Sequence, residues 1–123
     1  MLYLIYNYYV FQGWFNETTS ILKMEKEIEQ VKNEFDTDAV KIFFSIYEKF
    51  ETDVKQLNRR RDENVFQQIQ GKYVFTLKNQ LENLAKEMLN KHHQLKLIHH
   101  LSRTLTDSIS FYLHEFIQKS GSL

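Results

Sequence analysis

Apolar residues recur at alternating spacings of three and four along most of the chain after residue 16, the pattern of helices with one buried face. The pattern divides into four stretches, at residues 17–35, 38–58, 64–90 and 93–119. The first apolar stripe contains Ile21, Met24, Ile28, Val31 and Phe35, and the second contains Ala39, Phe43, Ile46, Phe50 and Leu57. The third contains Val65, Ile69, Tyr73, Leu77, Leu81, Leu84 and Met88, and the fourth Leu95, Ile98, Leu105, Ile109, Tyr112 and Phe116. We therefore predict an all-α fold, an up-and-down bundle of about four antiparallel helices.

Short polar stretches mark the predicted helix boundaries. Asp36-Thr37-Asp38 offers an N-cap for the second helix, because short oxygen-bearing side chains bind the free N–H groups of a first turn. The segment 58–64 carries no apolar side chain before Val65 and is the natural connection to the third helix, with Asp62 or Asn64 as its cap. The sequence thus places both of these turns at clusters of Asp and Asn.

The boundary between the last two helices is less clear. Residues 90–94 are polar but include no Gly or Pro, and Met88 and Leu95 are in phase for one unbroken helix. Such a helix over residues 64–119 would be about 80 Å long, at about 1.5 Å per residue, and would need a partner along its length. A hairpin near Asn90 agrees better with ordinary helix lengths, and we favour it.

Composition supports helices and one domain. The chain has 123 residues, with no Pro and only 3 Gly, whereas an all-β chain of this length needs many Gly- and Pro-based turns. Sixteen basic and 16 acidic residues give a formal net charge of +0, which removes the simplest signature of a nucleic-acid binder. The absence of Cys excludes disulfides and thiol chemistry and suits a reducing cytoplasm, which is the compartment we expect.

Residues 1–15 differ from the rest of the chain because they are nearly uncharged and rich in Tyr. The stretch is shorter than the roughly 20 apolar residues that span a membrane. Three interpretations stay open for this hydrophobic appendage: an element packed on the bundle, an interfacial anchor, or a segment outside a native protein that starts at Met24. The predicted bundle domain covers residues 16–123.

Five histidines, four of them in the adjacent pairs His92-His93 and His99-His100, suggest a metal site at first. His92 and His99, like His93 and His100, are seven residues apart, about 10.5 Å along a helix, which is too far to share one ion. Metal-binding pairs on a helix usually stand at i and i+4. We therefore predict no metal site and no other cofactor.

Lys55 and Arg59, Arg60 and Arg61 form the one basic run, which could contact phosphates of RNA or DNA. Asp62 and Glu63 follow directly and partly cancel its charge. A nucleic-acid-associated helical protein is therefore our second hypothesis, after that of a protein-interaction module.

Four phenylalanines lie off the main apolar stripes: Phe44, Phe66, Phe75 and Phe111. Surplus apolar positions on helices predict packing partners outside the core, in a second copy or in another protein. The chain also lacks phosphate-binding glycine loops, nucleophile elbows and H-E-x-x-H motifs. The sequence therefore favours a non-catalytic interaction module (an adaptor, an inhibitor or immunity-type protein, or a self-associating unit), with a homodimer as the expected form.

Overall fold

A computed structural model describes the backbone of residues 2–57 and 62–123, and the side chains of residues 21–57 and 62–123. The described residues form three α-helices and no strand: α1 (Leu2–Lys55), α2 (Glu63–Lys91) and α3 (Ile98–Gly121). The three helices pack together, α2 antiparallel to both of its neighbours and α1 parallel to α3. The prediction of an all-α fold is confirmed.

The predicted number of four helices is wrong, because α1 runs without interruption through the expected boundary at residues 36–38. The polar side chains there bind elsewhere instead of capping a helix. Asp36 accepts from Lys32 at 2.7 Å, and the Thr37 hydroxyl donates back to the carbonyl of Asn33 at 2.9 Å. The apolar stripe also stays in phase through this segment, so that packing overrides the local preference for a cap.

The sequence correctly predicts that the chain turns between α1 and α2 and again between α2 and α3. Asp62 is the N-cap of α2, and its carboxylate accepts a hydrogen bond from the Asn64 N–H at 2.9 Å. The long-helix alternative does not occur, since α2 ends at Lys91 and α3 begins only at Ile98, five residues later than predicted. The favoured hairpin is therefore correct.

An aromatic cluster holds the three helices together. The ring of Phe50 on α1 lies 5.9 Å from that of Phe66 and 5.8 Å from that of Tyr73, both on α2. It also lies 5.4 Å from the ring of Phe116 on α3. Edge-to-face ring pairs at such distances add to the free energy gained by burying apolar surface. The stripes predict most of this core, although Ile21, inside α1, and Val65, in the first turn of α2, are exposed.

The appendage predicted at residues 1–15 belongs, from Leu2 onwards, to the backbone of α1. Its side chains lie outside the described residues, so its three interpretations stay predictions. Within the described residues, no helix combines the length and the apolarity needed to cross a bilayer.

Candidate functional site

The parallel pair α1 and α3 leaves a groove between them, which we call the α1/α3 groove. It has a volume of about 260 Å³. Its lining residues are Val40, Phe43, Phe44, Phe111, Tyr112, Glu115 and Lys119. These helices pack less extensively on each other than each does on α2, which is why the groove forms on this side of the bundle.

Three large apolar side chains of this groove are open to solvent. Phe44 is 53% exposed, Phe111 59% and Val40 40%. Single exposed apolar residues are common, but a contiguous group of them usually marks a contact surface. The group spans two helices, so it exists only because the fold brings Val40 and Phe44 of α1 beside Phe111 of α3.

Rigid neighbours support the two exposed rings. Phe44 stands edge-on to the buried Phe43 at 5.5 Å between ring centres, and Phe111 stands edge-on to Tyr112 at 5.6 Å. Phe43 and Tyr112 in turn contact each other across the groove floor at 6.3 Å. An aromatic surface held this way loses little side-chain entropy when a partner binds.

Lys119 closes one end of the groove. Its ammonium group lies 4.9 Å from the ring centre of Phe44 and 4.7 Å from that of Tyr47, within cation–π range. The Tyr47 hydroxyl also donates to the backbone carbonyl of Lys119 at 3.1 Å, which fixes this part of α3 against α1. Burial, and after it the nearby Glu51 carboxylate, raises the pKa of Tyr47.

A more polar groove of about 440 Å³ continues from the other end of the aromatic one, and Phe111 and Tyr112 line both. Its further lining residues are Lys32, Asp36, Thr104, Asp107 and Ser108. Burial, together with the hydrogen bond that its hydroxyl donates to Asp36, raises the pKa of Tyr112 to about 12. The two grooves are continuous with each other, with apolar residues in the middle and charged residues towards both ends.

The four phenylalanines predicted as interface residues separate in the structure. Phe44 and Phe111 come together in the α1/α3 groove, while Phe75 lies on α2, outside that groove, and is 64% exposed. The prediction for Phe66 is wrong, because it is only 3% exposed and packs against Phe50. Its place in the first full turn of α2 lets it point inward although it lies beside the main stripe.

Sequence reasoning missed the contributions of Tyr112, Asp107 and Lys119 to this surface. A signal for them exists in the four-residue spacing of Asp107, Phe111, Glu115 and Lys119, which sets them in one row along α3. That spacing does not reveal which row of α1 lies opposite. Only the packing of the two helices supplies that relationship.

The basic run is described only at Lys55, the last residue of α1. Its side chain is exposed, and its amine lies 4.0 Å from Glu51. Arg59, Arg60 and Arg61 lie outside the described residues. The prediction of nucleic-acid contact therefore stays a prediction.

The histidines lie at the α2–α3 turn and along α3. His92 is half-buried, with its Nε2 3.5 Å from Glu34, and Lys91 contacts the other oxygen of that carboxylate at 2.5 Å. The hydrogen bond from Lys91 is the main cause that lowers the pKa of Glu34, with His92 adding to it against the opposing effect of burial. Among the residues with described side chains, no three His, Asp or Glu come together as a metal-binding group.

No protein-family model matches the chain, and comparisons with curated proteins and with solved structures found no match.

Proposed function

We propose that this protein is a non-catalytic binding module whose contact surface is the α1/α3 groove. The observation that carries the proposal is the contiguous exposure of Val40, Phe44 and Phe111 on a rigid two-helix platform. Exposed aromatics of this kind, with charged residues around them, have the composition of an interface centre with a polar rim.

The size of the apolar surface supports the same proposal. Each Phe side chain has about 200 Å² of surface, so the open halves of Phe44 and Phe111 leave roughly 200 Å² for a partner to cover. Covering it would contribute about 5 kcal/mol before the cost of association, at about 25 cal/mol per Å². That is a large share of the free energy of a micromolar complex, about 8 kcal/mol.

A photo-crosslinking experiment tests the proposal. The full chain is expressed in its native cells with p-benzoylphenylalanine replacing Phe44, Phe111 or Phe75 in turn. Phe75 is the matched control, because it is at least as exposed but lies on α2, outside the groove. We expect a discrete adduct from positions 44 and 111 and none of that mass from position 75.

A competition experiment tests whether the crosslinked adduct depends on the groove. An excess of the wild-type chain should suppress the adduct, whereas an excess of a Phe44→Ser, Phe111→Ser double variant should not. Equal adducts from all three positions, or no adduct from positions 44 and 111, would contradict the proposal.

A further inference from the structure

The charged residues of the polar groove differ in whether their charges are already neutralised. Lys32 and Asp36 form an ion pair at 2.7 Å, and the Tyr112 hydroxyl donates to the second oxygen of Asp36 at 3.0 Å. Asp107 lines the same groove and is exposed, and within the described part of the chain it forms no ion pair. The polar groove therefore keeps one free negative charge, on the carboxylate of Asp107.

An exposed aromatic ring is the neighbour of this carboxylate. Phe111 lies one helical turn after Asp107, and residues at that spacing have their Cβ atoms about 5–6 Å apart on the helix surface. Phe111 is 59% exposed and lines both grooves. Glu115, a further turn along α3, is also exposed and has no ion pair among the described residues. Unpaired negative charge thus lies on both sides of the Phe111 ring.

A ring beside an unpaired carboxylate matches the chemistry of an arginine side chain. The planar guanidinium group stacks on an aromatic ring through its face, and it donates N–H groups in its own plane to a carboxylate. The ammonium group of lysine is compact and strongly hydrated, so it is less suited to stacking. An acidic side chain at the same position would be repelled by Asp107. The chemistry of Phe111 and Asp107 therefore favours arginine.

Two cations of α3 lie near this position without occupying it. Lys119 is eight residues after Phe111, about 12 Å along the helix, and its ammonium group lies 4.9 Å from the ring centre of Phe44. Arg103 precedes Asp107 by one turn, lines neither groove and forms no ion pair with it. The position beside Phe111 and Asp107 is therefore open to a cation from a partner.

We propose that the partner of the α1/α3 groove is a protein segment that presents an arginine beside an apolar side chain. The guanidinium group stacks on Phe111 and pairs with Asp107, and the apolar side chain covers Val40 and Phe44. This inference rests on the proposed function, because it states the chemistry of the occupant of the same groove. Charge then selects among partners, since apolar contact alone accepts many hydrophobic segments.

Two peptides that differ only in one charge test the inference on the full-length protein. Both are fluorescein-labelled amphipathic helices of leucine, alanine and glutamine, with a single arginine in one and citrulline, its neutral analogue of similar shape, in the other. In fluorescence anisotropy we expect the arginine peptide to bind about fivefold more tightly, as for one exposed charge pair. Asp107→Asn should remove this preference, and Phe111→Leu should reduce it. Glu87→Gln, which removes an exposed and unpaired charge on α2, is the matched control and should keep it.

Circular dichroism should show that the variants keep their helices, because the exchanged side chains are exposed. Equal affinities of the two peptides for the wild type, a preference that survives Asp107→Asn, or no binding of either peptide would overturn the inference. A crosslinked adduct from positions 44 and 111 would still leave the proposed function standing, whereas its absence would remove both. Mass spectrometry of that adduct should find an arginine within one helical turn of the crosslinked partner residue, and a partner segment without arginine would contradict the inference.

Discussion

The Tyr112 hydroxyl on α3 donates a hydrogen bond to Asp36 Oδ1 on α1 across 3.0 Å, while Lys32 holds the other carboxylate oxygen at 2.7 Å. Both oxygens of Asp36 are thus engaged, one within α1 and one from α3. The contact lies where the polar groove meets the aromatic one, so it sets the distance between α1 and α3 beside the candidate binding surface.

Removing the Tyr112 hydroxyl should show how much its hydrogen bond to Asp36 contributes to the free energy of unfolding. We expect Tyr112→Phe to lower the free energy of unfolding by about 1–2 kcal/mol, because a hydrogen bond to a charged group is lost while Lys32 still neutralises Asp36. Urea unfolding followed by circular dichroism gives the value. Tyr47→Phe is the matched control, since its hydroxyl donates to the neutral carbonyl of Lys119, and its loss should cost no more than about 1 kcal/mol. A larger loss for Tyr47→Phe than for Tyr112→Phe would contradict this assignment.

The raised pKa of Tyr112 predicts a loss of stability at alkaline pH. Its folded pKa of about 12 lies above the ordinary value of 10.0, so the folded state favours the neutral phenol. This contribution is fully present below pH 10 and is lost as the pH rises towards 12. Tyr47 and Tyr73 have raised pKa values as well, the latter mainly through its hydrogen bond to Asp53, and they add to the decline.

Comparison of the wild type with Tyr112→Phe shows how much of the loss of stability at alkaline pH is due to Tyr112. The free energy of unfolding of the variant should fall less steeply between pH 10 and 12 than that of the wild type. Absorbance at 295 nm should also show one fewer late-titrating tyrosine. Parallel stability curves for the two proteins would show that Tyr112 does not contribute.

The segment around Asp36 also shows why the sequence did not predict that α1 is one continuous helix. The stripe from Val31 through Phe35 and Ala39 to Phe43 indicates one continuous buried face, whereas Asp36-Thr37-Asp38 indicates a cap. The two signals conflict, and one contact that engages Asp36 inside the continuous helix, the hydrogen bond from Tyr112, comes from 76 residues further along the chain. A pattern read along one helix does not contain that contact.

The candidate site shows the same limit. The off-stripe positions of Phe44 and Phe111 predict exposure, and both are exposed. That they share one groove follows from the parallel packing of α1 on α3, which no spacing within either helix specifies. Phe66 shows the reverse case, because a neighbour on α1, Phe50, gives it a buried contact that its own helix does not predict.

A proline at position 37 distinguishes a continuous α1 from two helices. If Asp36 were an N-cap, Thr37 would be the first helical position, where proline is favoured. Inside α1, proline removes a backbone hydrogen bond and clashes with the preceding turn, so we expect Thr37→Pro to cost about 3 kcal/mol or more. Thr37→Ala, the control, should be neutral or slightly stabilising because Ala is the better helix former. A Thr37→Pro variant as stable as the wild type would show a break at this position.

Gly71 offers a stabilising substitution. It lies within α2, is exposed, and a Cβ placed on it meets nothing within 4 Å. Gly71→Ala should therefore raise the free energy of unfolding by about 0.5–1 kcal/mol, since Ala restricts the unfolded chain and favours helix. Gly121→Ala has equally open surroundings but falls at the fraying end of α3, and should change stability much less. Thermal unfolding of both variants against wild type would detect the difference, and a destabilised Gly71→Ala would mean that the site has a close neighbour.

Phe44 and Phe50 lie on the same helix, but their substitution should affect different properties. Loss of the Phe50 ring should lower the stability of the fold, and loss of the Phe44 ring should weaken association. Phe50→Ala removes a fully buried ring that contacts both other helices, and we expect it to cost about 3–5 kcal/mol. Phe44→Ala should cost about 1 kcal/mol or less at 1 µM protein, because its ring is half exposed and loses mainly its contacts with Phe43 and Lys119. If the chain forms the homodimer that the sequence predicts, the wild type should melt at a higher temperature at 50 µM than at 1 µM, because association stabilises only the folded state, and Phe44→Ala should lose that dependence. A variant that keeps the full concentration dependence would show that Phe44 lies outside the contact, whatever its effect on folding.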